Sequence, residues 1–236
     1  MTKFAFEVPH FNLEDFEDLQ DFHYMLSLNW ECLRYKRFYL RQAKLRKKPI
    51  WLDNSYNETG VADDVSSMQQ IALQVNASEI IAPDDPTWKT EQIAKAYLKT
   101  EKLWPKCRTI VVVSSPEMKE ALEDLGAQHF AISYHTRLPA YKQGATPHDF
   151  LWAKNCHFLG LCSVHELEVI RPTTCDTSMP IKIALRDQTL KGWEEEGCPH
   201  IHTKDDLSFF DKRLMGVQLR LARANIKQLK ERCKCI

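Results

Sequence analysis

The chain has 236 residues, 44% hydrophobic and 27% charged, with 32 Lys and Arg against 32 Asp and Glu. That suits one folded domain over residues 1–236 with a sizeable core, and the zero net charge gives no argument from overall charge for a nucleic-acid partner. No apolar run approaches the roughly 20 residues of a membrane span, and no Gly-rich loop points to a nucleoside triphosphate or dinucleotide.

Residues 4–19 form an aromatic and acidic lead-in, read as a strand and short helix that plug the bottom of a barrel. The first residues lack the apolar core of a signal peptide, so a cytoplasmic protein is expected, its eight scattered cysteines free thiols. Residues 22–27 are predicted as the first strand. Residues 30–47 lack Gly and Pro and are rich in Leu, Arg and Lys, which predicts a helix ended by Pro49. A short strand at 50–53 runs into a loop at Asn54-Ser55-Tyr56-Asn57.

A helix at 61–75, a strand at 79–82 and a helix at 87–103 with Thr87 as its N-cap come next. The β-branched run 108–113 suits a parallel strand buried on both faces. Ser115-Pro116-Glu117 opens a helix with a cap residue, a first-turn proline and an early acid. Strands are predicted at 129–134 and 157–161, with a loop at 135–146 and a short helix at 147–155 between them. A short helix at 163–169 leads to the stretch Pro172-Thr173-Thr174-Cys175-Asp176-Thr177-Ser178-Met179-Pro180, read as the seventh strand. The apolar run 181–185 is read as the eighth. Residues 186–204 read as a loop, and 207–233 as one long last helix.

Eight strands alternating with helices in this length predict an α/β fold, a closed (β/α)8 TIM barrel rather than a doubly wound open sheet. Barrel enzymes keep their reactive groups at the carboxyl ends of the strands. Asp53, Asp84 and Asp176 all fall there. The plainer reading of such residues is turn formers and helix caps, and Asp85, before Pro86-Thr87, fits it well. Asp53 and Asp176 precede no helix start directly. Two carboxylates across a pocket suit glycosidic-bond chemistry, one attacking the anomeric carbon and the other moving protons.

Four islands occur in order: Leu52-Asp53-Asn54-Ser55-Tyr56-Asn57-Glu58, Ile81-Ala82-Pro83-Asp84, His157-Phe158-Leu159-Gly160-Leu161 and Cys175-Asp176-Thr177-Ser178-Met179-Pro180. Together they resemble the tRNA-guanine transglycosylase superfamily, and most of all its compact phage and bacterial branch, the DNA 7-deazaguanine transglycosylases. The resemblance implies that Asp176 is the nucleophile that displaces guanine and Asp53 the general acid/base. It implies that Asp84 reads the base, that the Gly160 backbone approaches it, and that Ser55 and Tyr56 line the loop beside Asp53. The partners implied are guanine-containing DNA and a free 7-deazaguanine such as the 7-cyano form, with no cofactor. The tRNA enzymes carry a base-reading Gln where this chain has Ser114 or Ser115. Their Cys-rich zinc motif is missing here, so no metal is expected and DNA is favoured over tRNA.

Basic residues recur at helical spacing in two places: Arg34, Arg37, Arg41, Lys44 and Lys48, and Arg220, Arg223, Lys227, Lys230 and Lys234. First and last helices are neighbours in a closed barrel, which leaves two readings open, one merged positive surface that contacts phosphates and a pair of solvated helix faces. Lys182 and Arg186, beside the predicted eighth strand, are read either as holding phosphates flanking a flipped nucleotide or as surface charges. Cys198-Pro199-His200-Ile201-His202 is read as a polar loop rather than a metal site, and His157 as a hydrogen-bonded core residue. A homodimer is left open. The rival readings are base exchange in tRNA, a silent nucleic-acid-binding barrel subunit, and a barrel glycosidase.

Overall fold

A computed structural model describes residues 1–197 and 207–234. In chain order its first half runs β1 (Lys3–Phe6), β2 (His23–Leu26), α1 (Leu33–Leu45), β3 (Ile50–Asp53), α2 (Tyr56–Thr59), α3 (Val65–Val75), β4 (Glu79–Ile81), α4 (Thr90–Leu103), β5 (Arg108–Val112) and α5 (Pro116–Glu123). The second half runs β6 (His129–Ser133), α6 (Tyr134–Lys142), β7 (His157–Leu159), α7 (Val164–Val169), β8 (Thr174–Thr177), α8 (Met179–Leu185), α9 (Leu190–Glu195), α10 (Leu207–Phe210) and α11 (Gly216–Arg232). The strands form one 8-stranded sheet in the order β1-β8-β7-β6-β5-β4-β3-β2, each ladder parallel. With helices around it, this is the architecture of a (β/α)8 TIM barrel.

The strands alternate between the barrel interior and the helix layer, as the pleat requires. The His157 ring on β7 lies 4.9 Å from Trp51, 5.9 Å from Tyr24 and 6.0 Å from Phe22, centroid to centroid. These three come from the β2 and β3 side, so all four rings fill the interior. Their chain neighbours Met25, Leu52 and Phe158 point outward and are fully buried under the helices.

Where β1 meets β2 the ring is closed by side chains instead of a strand ladder. The Gln20 amide accepts from the Phe6 N–H at 2.6 Å and donates to the Phe6 carbonyl at 2.9 Å. Asp21 accepts from the Phe4 N–H at 2.8 Å, and its own N–H donates to the Phe4 carbonyl at 2.8 Å. These bonds satisfy the backbone groups that a missing ladder would orphan.

Several sequence expectations are corrected. The lead-in is no plug: its first residues are β1, paired to β8. The run 181–185 is not the eighth strand but part of helix α8, with Pro180 in its first turn and Lys182 among the apolar residues Ile181, Ile183, Ala184 and Leu185. The eight strands therefore stand, with β1 in place of that run. The predicted loop at 135–146 mostly forms α6, and the predicted loop from 186 onward contains α9. Thr87 caps nothing: its hydroxyl donates to Asp85 at 2.7 Å, and α4 starts at Thr90. The helix expected at 61–75 starts at Val65, where Asp64 accepts from the Ser66 N–H at 2.8 Å. The long last helix is divided into α10 and α11. The Cys198 to His202 stretch lies outside the described residues. No helix among those described is long and apolar enough to cross a membrane.

Candidate active site

Asp53 ends β3, Asp176 is the third residue of β8, and Asp84 lies three residues beyond β4. All three stand at the carboxyl end of the barrel and all are buried. Two further acids join them. Glu7 follows β1 directly and its side chain hydrogen-bonds Asp176. Glu58 on α2 is drawn up by burial and by the charges of Glu7 and Asp53, and its Oε2 makes no hydrogen bond among the described residues.

Asp176 is the best supported of the group. Besides Glu7, the Gly160 N–H donates to it and the His157 ring meets its Oδ1 through Nε2 at 3.0 Å. Burial pushes its carboxyl up to about 6, and the Glu7 and Gly160 bonds and the Arg137 charge hold it from going further. The His157 contact has the distance of an ion pair but is a neutral hydrogen bond. Burial, helped by the Arg137 charge, lowers the imidazole to about 3, so the ring is uncharged at neutral pH.

Gly160 is set for this contact by its backbone. Its φ is +71°, and a Cβ there would stand 3.2 Å from the Tyr134 Cβ. Any side chain would be strained and crowded. Behind the turn, the fully buried Arg137 donates to the Gly160 carbonyl at 2.5 Å, to Glu166 at 2.8 Å and to the Ile132 carbonyl. Glu166 also accepts from the Cys162 N–H at 2.7 Å and the Tyr141 hydroxyl at 2.8 Å. The guanidinium lies 4.1 Å from the Phe158 ring centroid. This pair locks β6, β7 and α7 together beneath Asp176.

Asp53 has a different setting. Burial raises its carboxyl well above the usual range, and the charges of Asp84 and Asp176 raise it further. The Tyr24 hydroxyl and the Asn54 N–H, the latter at 2.7 Å, pull it only partly back. Asp84 is pushed up to about 6, chiefly by burial, while the Asn54 amide donates to it at 2.8 Å and holds it in place. Asn54 also donates to the Ala82 carbonyl at 2.9 Å, tying the β3 and β4 loops to each other.

The other predicted site residues divide. Ser55 is fully buried in a left-handed conformation, φ 59°, and its hydroxyl contacts the Leu28 N–H at 3.1 Å and Ser27 at 2.9 Å. It holds the loop to the β2 end and is turned from the carboxylates. Tyr56 hydrogen-bonds Asp85 through its hydroxyl. Ser114 follows β5 on the correct end but is exposed, its hydroxyl 3.8 Å from the Met118 sulfur. Ser115 caps α5.

Lys182 and Arg186 do not flank a strand. Lys182 is buried within α8 with its Nζ 5.3 Å from the Phe209 ring centroid. Arg186 caps the far end of that helix, about 10 Å down from the mouth at 1.5 Å per residue. The basic stripes do not merge either, because the acidic 3-10 turn Glu14–Leu19 lies between the two helices. Arg41 pairs with Glu17 at 3.3 Å, Arg223 with Asp18 at 2.6 Å, and Lys230 with Asp21 at 2.7 Å. Arg37, Lys44 and Lys227 are exposed on the same faces.

Sequence reasoning missed Glu7, Tyr24 and Glu58. Alternation along 22–27 puts Tyr24 on the face shared with Phe22, which was the available signal. Glu7 needed β1 to be recognised, and Glu58 the one-turn helix α2.

No protein-family model matches the chain, and no curated protein matches it. Solved structures do. KGPDC from Streptococcus mutans superposes with a TM-score of 0.53 at 12% identity, covering 98% of this chain and 99% of that one. Monomers of phosphoribosylanthranilate isomerase from Thermotoga maritima give 0.50 at 12% identity over 100% of both chains. At these identities the likeness establishes the barrel fold and nothing finer.

Proposed function

We propose that this barrel is a base-exchange glycosyltransferase that replaces guanine in DNA with a 7-deazaguanine through a covalent glycosyl-aspartate. The observation that supports it most is the contrast between Asp176 and Asp53. Burial drives both up at the mouth, yet hydrogen bonds from Glu7 and Gly160 hold Asp176 to about 6, while the charges of Asp84 and Asp176 add to the burial of Asp53. Two carboxyls whose surroundings push them apart divide naturally into an anion and a proton carrier.

In this reading the ionised Asp176 attacks the anomeric carbon of a flipped guanine nucleotide. A carboxylate oxygen to C1′ bond forms, the C1′–N9 bond breaks, and its electron pair leaves with the base. Protonated Asp53 supplies the proton that neutralises the departing guanine. The incoming 7-deazaguanine then gives its N9 proton to Asp53, bonds to C1′ and releases Asp176. Asp84, fixed by Asn54, accepts from the N–H groups of the base edge. The ordered islands that resemble the DNA 7-deazaguanine transglycosylases support the choice of base and polymer.

Guanine-containing DNA is incubated with 7-cyano-7-deazaguanine and the protein, digested to nucleosides and weighed by mass spectrometry. A modified deoxynucleoside is expected, lost in Asp53→Ala and in Asp176→Asn. Incorporation into tRNA alone would move the reading to RNA. Normal incorporation by a folded Asp176→Asn variant would overturn it.

A further inference from the structure

Asp176 is supported from behind as well as from the mouth. The His157 imidazole is 3% exposed and spans two inward-facing residues of β8. Its Nδ1 lies 2.9 Å from the Thr174 hydroxyl and its Nε2 lies 3.0 Å from Asp176 Oδ1. The register explains the fit. His157 pairs directly with Thr174, and Asp176 is the next inward residue along the same strand. Trp51 at 4.9 Å, Tyr24 at 5.9 Å and Phe22 at 6.0 Å hold the ring on its other sides, so it cannot tilt away.

The place of the proton on that ring follows from reading Asp176 as ionised. An ionised carboxylate only accepts, so contact with Asp176 requires the hydrogen on Nε2. Nδ1 is then an acceptor, and the Thr174 hydroxyl is free to rotate and donate to it. We propose that His157 is a positioning residue: its neutral imidazole, set by Thr174, donates Nε2–H to Asp176 and so fixes the carboxylate plane and favours its anionic form. The inference rests on the reading of Asp176 as nucleophile, but the protonation of Asp176 can be followed without any reaction.

The titratable groups facing His157 are Asp176 on β8, Tyr24 on β2 and Arg137, whose charge reaches it from α6, and the ring shares a cavity at the other end of the barrel with Lys3, Asp21, Glu79, Arg108 and His129. Protonation of the ring is opposed by burial and by Arg137, so the imidazole stays a donor through one nitrogen over the working pH range.

Three measurements test it on the full chain. Nitrogen-15 spectra of histidine-labelled wild-type protein at pH 8 are expected to give the Nε2–H tautomer for His157. A predominant Nδ1–H tautomer would overturn the proposal with no variant made. Carbon-13 titration of Asp176 is expected to move upward by roughly one unit or more in His157→Phe, which keeps bulk and removes the donor, and to return toward wild type in His157→Gln. An unmoved midpoint in folded His157→Phe would also overturn it. If base exchange is active, the acid limb of kcat/KM should follow the same order. Absent exchange with the expected tautomer and titrations would sink the functional reading and leave the role of His157 intact.

Discussion

The barrel buries two clusters of charged side chains, and they are built on opposite rules. Around Arg137 and Glu166 the acid has a cation and the donors have acceptors, so the fully buried pair is neutral as a whole. Around Asp53, Asp176, Glu7 and Glu58 acids face acids, and Glu58 Oε2 has no hydrogen-bond partner among the described residues. A closed ion pair fixes geometry. Acidic groups buried together lower stability, and such clusters are commoner at sites of chemistry than elsewhere. The first cluster stands directly behind the second, since Arg137 holds the turn whose Gly160 N–H reaches Asp176.

The sharpest way to break this contrast is to remove one group from each cluster. Under the proposed reaction, Asp176→Asn should reduce base exchange by about 10⁴-fold while the protein still folds, as steady-state incorporation and circular dichroism would record. Arg137→Met should do the reverse of a pure activity change. It strands Glu166 in the interior, and urea unfolding should report a loss of about 3–5 kcal/mol.

A third test uses pH. Asp84 is raised from 3.8 to about 6 in the folded chain, so its favourable contribution is complete below pH 3.8 and is lost as pH rises through 6. Asp84→Asn removes that dependence and keeps an acceptor for Asn54. Relative to wild type, the variant should gain on the order of 3 kcal/mol between pH 4 and pH 8 in urea unfolding. The comparison with wild type matters because His23 and His157, lowered to about 4 and about 3, act in the opposite direction and destabilise the fold as pH falls below 6.5. A flat difference would mean that Asp84 is not burdened by burial. The smallest effect belongs to the surface. Arg223→Ala should cost less than about 1 kcal/mol, and the difference should shrink in 0.5 M salt, because its Asp18 partner is exposed.

Much of this was legible in the sequence, and the failures have physical causes. Asp53, Asp84 and Asp176 could be found because a short apolar strand followed by an acid marks the mouth of a barrel. The eighth strand was misplaced because the apolar run from Ile181 is buried nearly all round in α8, and a short, buried run has no periodicity to separate helix from strand. Helix α6 was hidden by Pro139 in its interior, where Arg137's bonds to Glu166 and Gly160 override the local signal. All but Lys48 and Lys234 of the basic stripes lie on helices α1 and α11, but the pairing of Arg41, Arg223 and Lys230 with Glu17, Asp18 and Asp21 depended on where the lead-in came to rest.

The side-chain joint between β1 and β2 has a consequence for how the mouth moves. A strand ladder resists shear because its bonds are spaced along two stiff backbones, whereas Gln20 and Asp21 grip β1 through side chains with rotatable bonds. By that argument the wall is expected to yield most easily between the strand that leads to Glu7 and the strand that bears Tyr24, where one backbone bond, from Asp21 N–H to the Phe4 carbonyl, stands in for a ladder. Opening there widens the gap beside the carboxylates while seven ladders stay intact. The seam lies one strand from Asp176 on β8 and one strand from Asp53 on β3, so yielding there would act on the spacing of the two carboxyl groups.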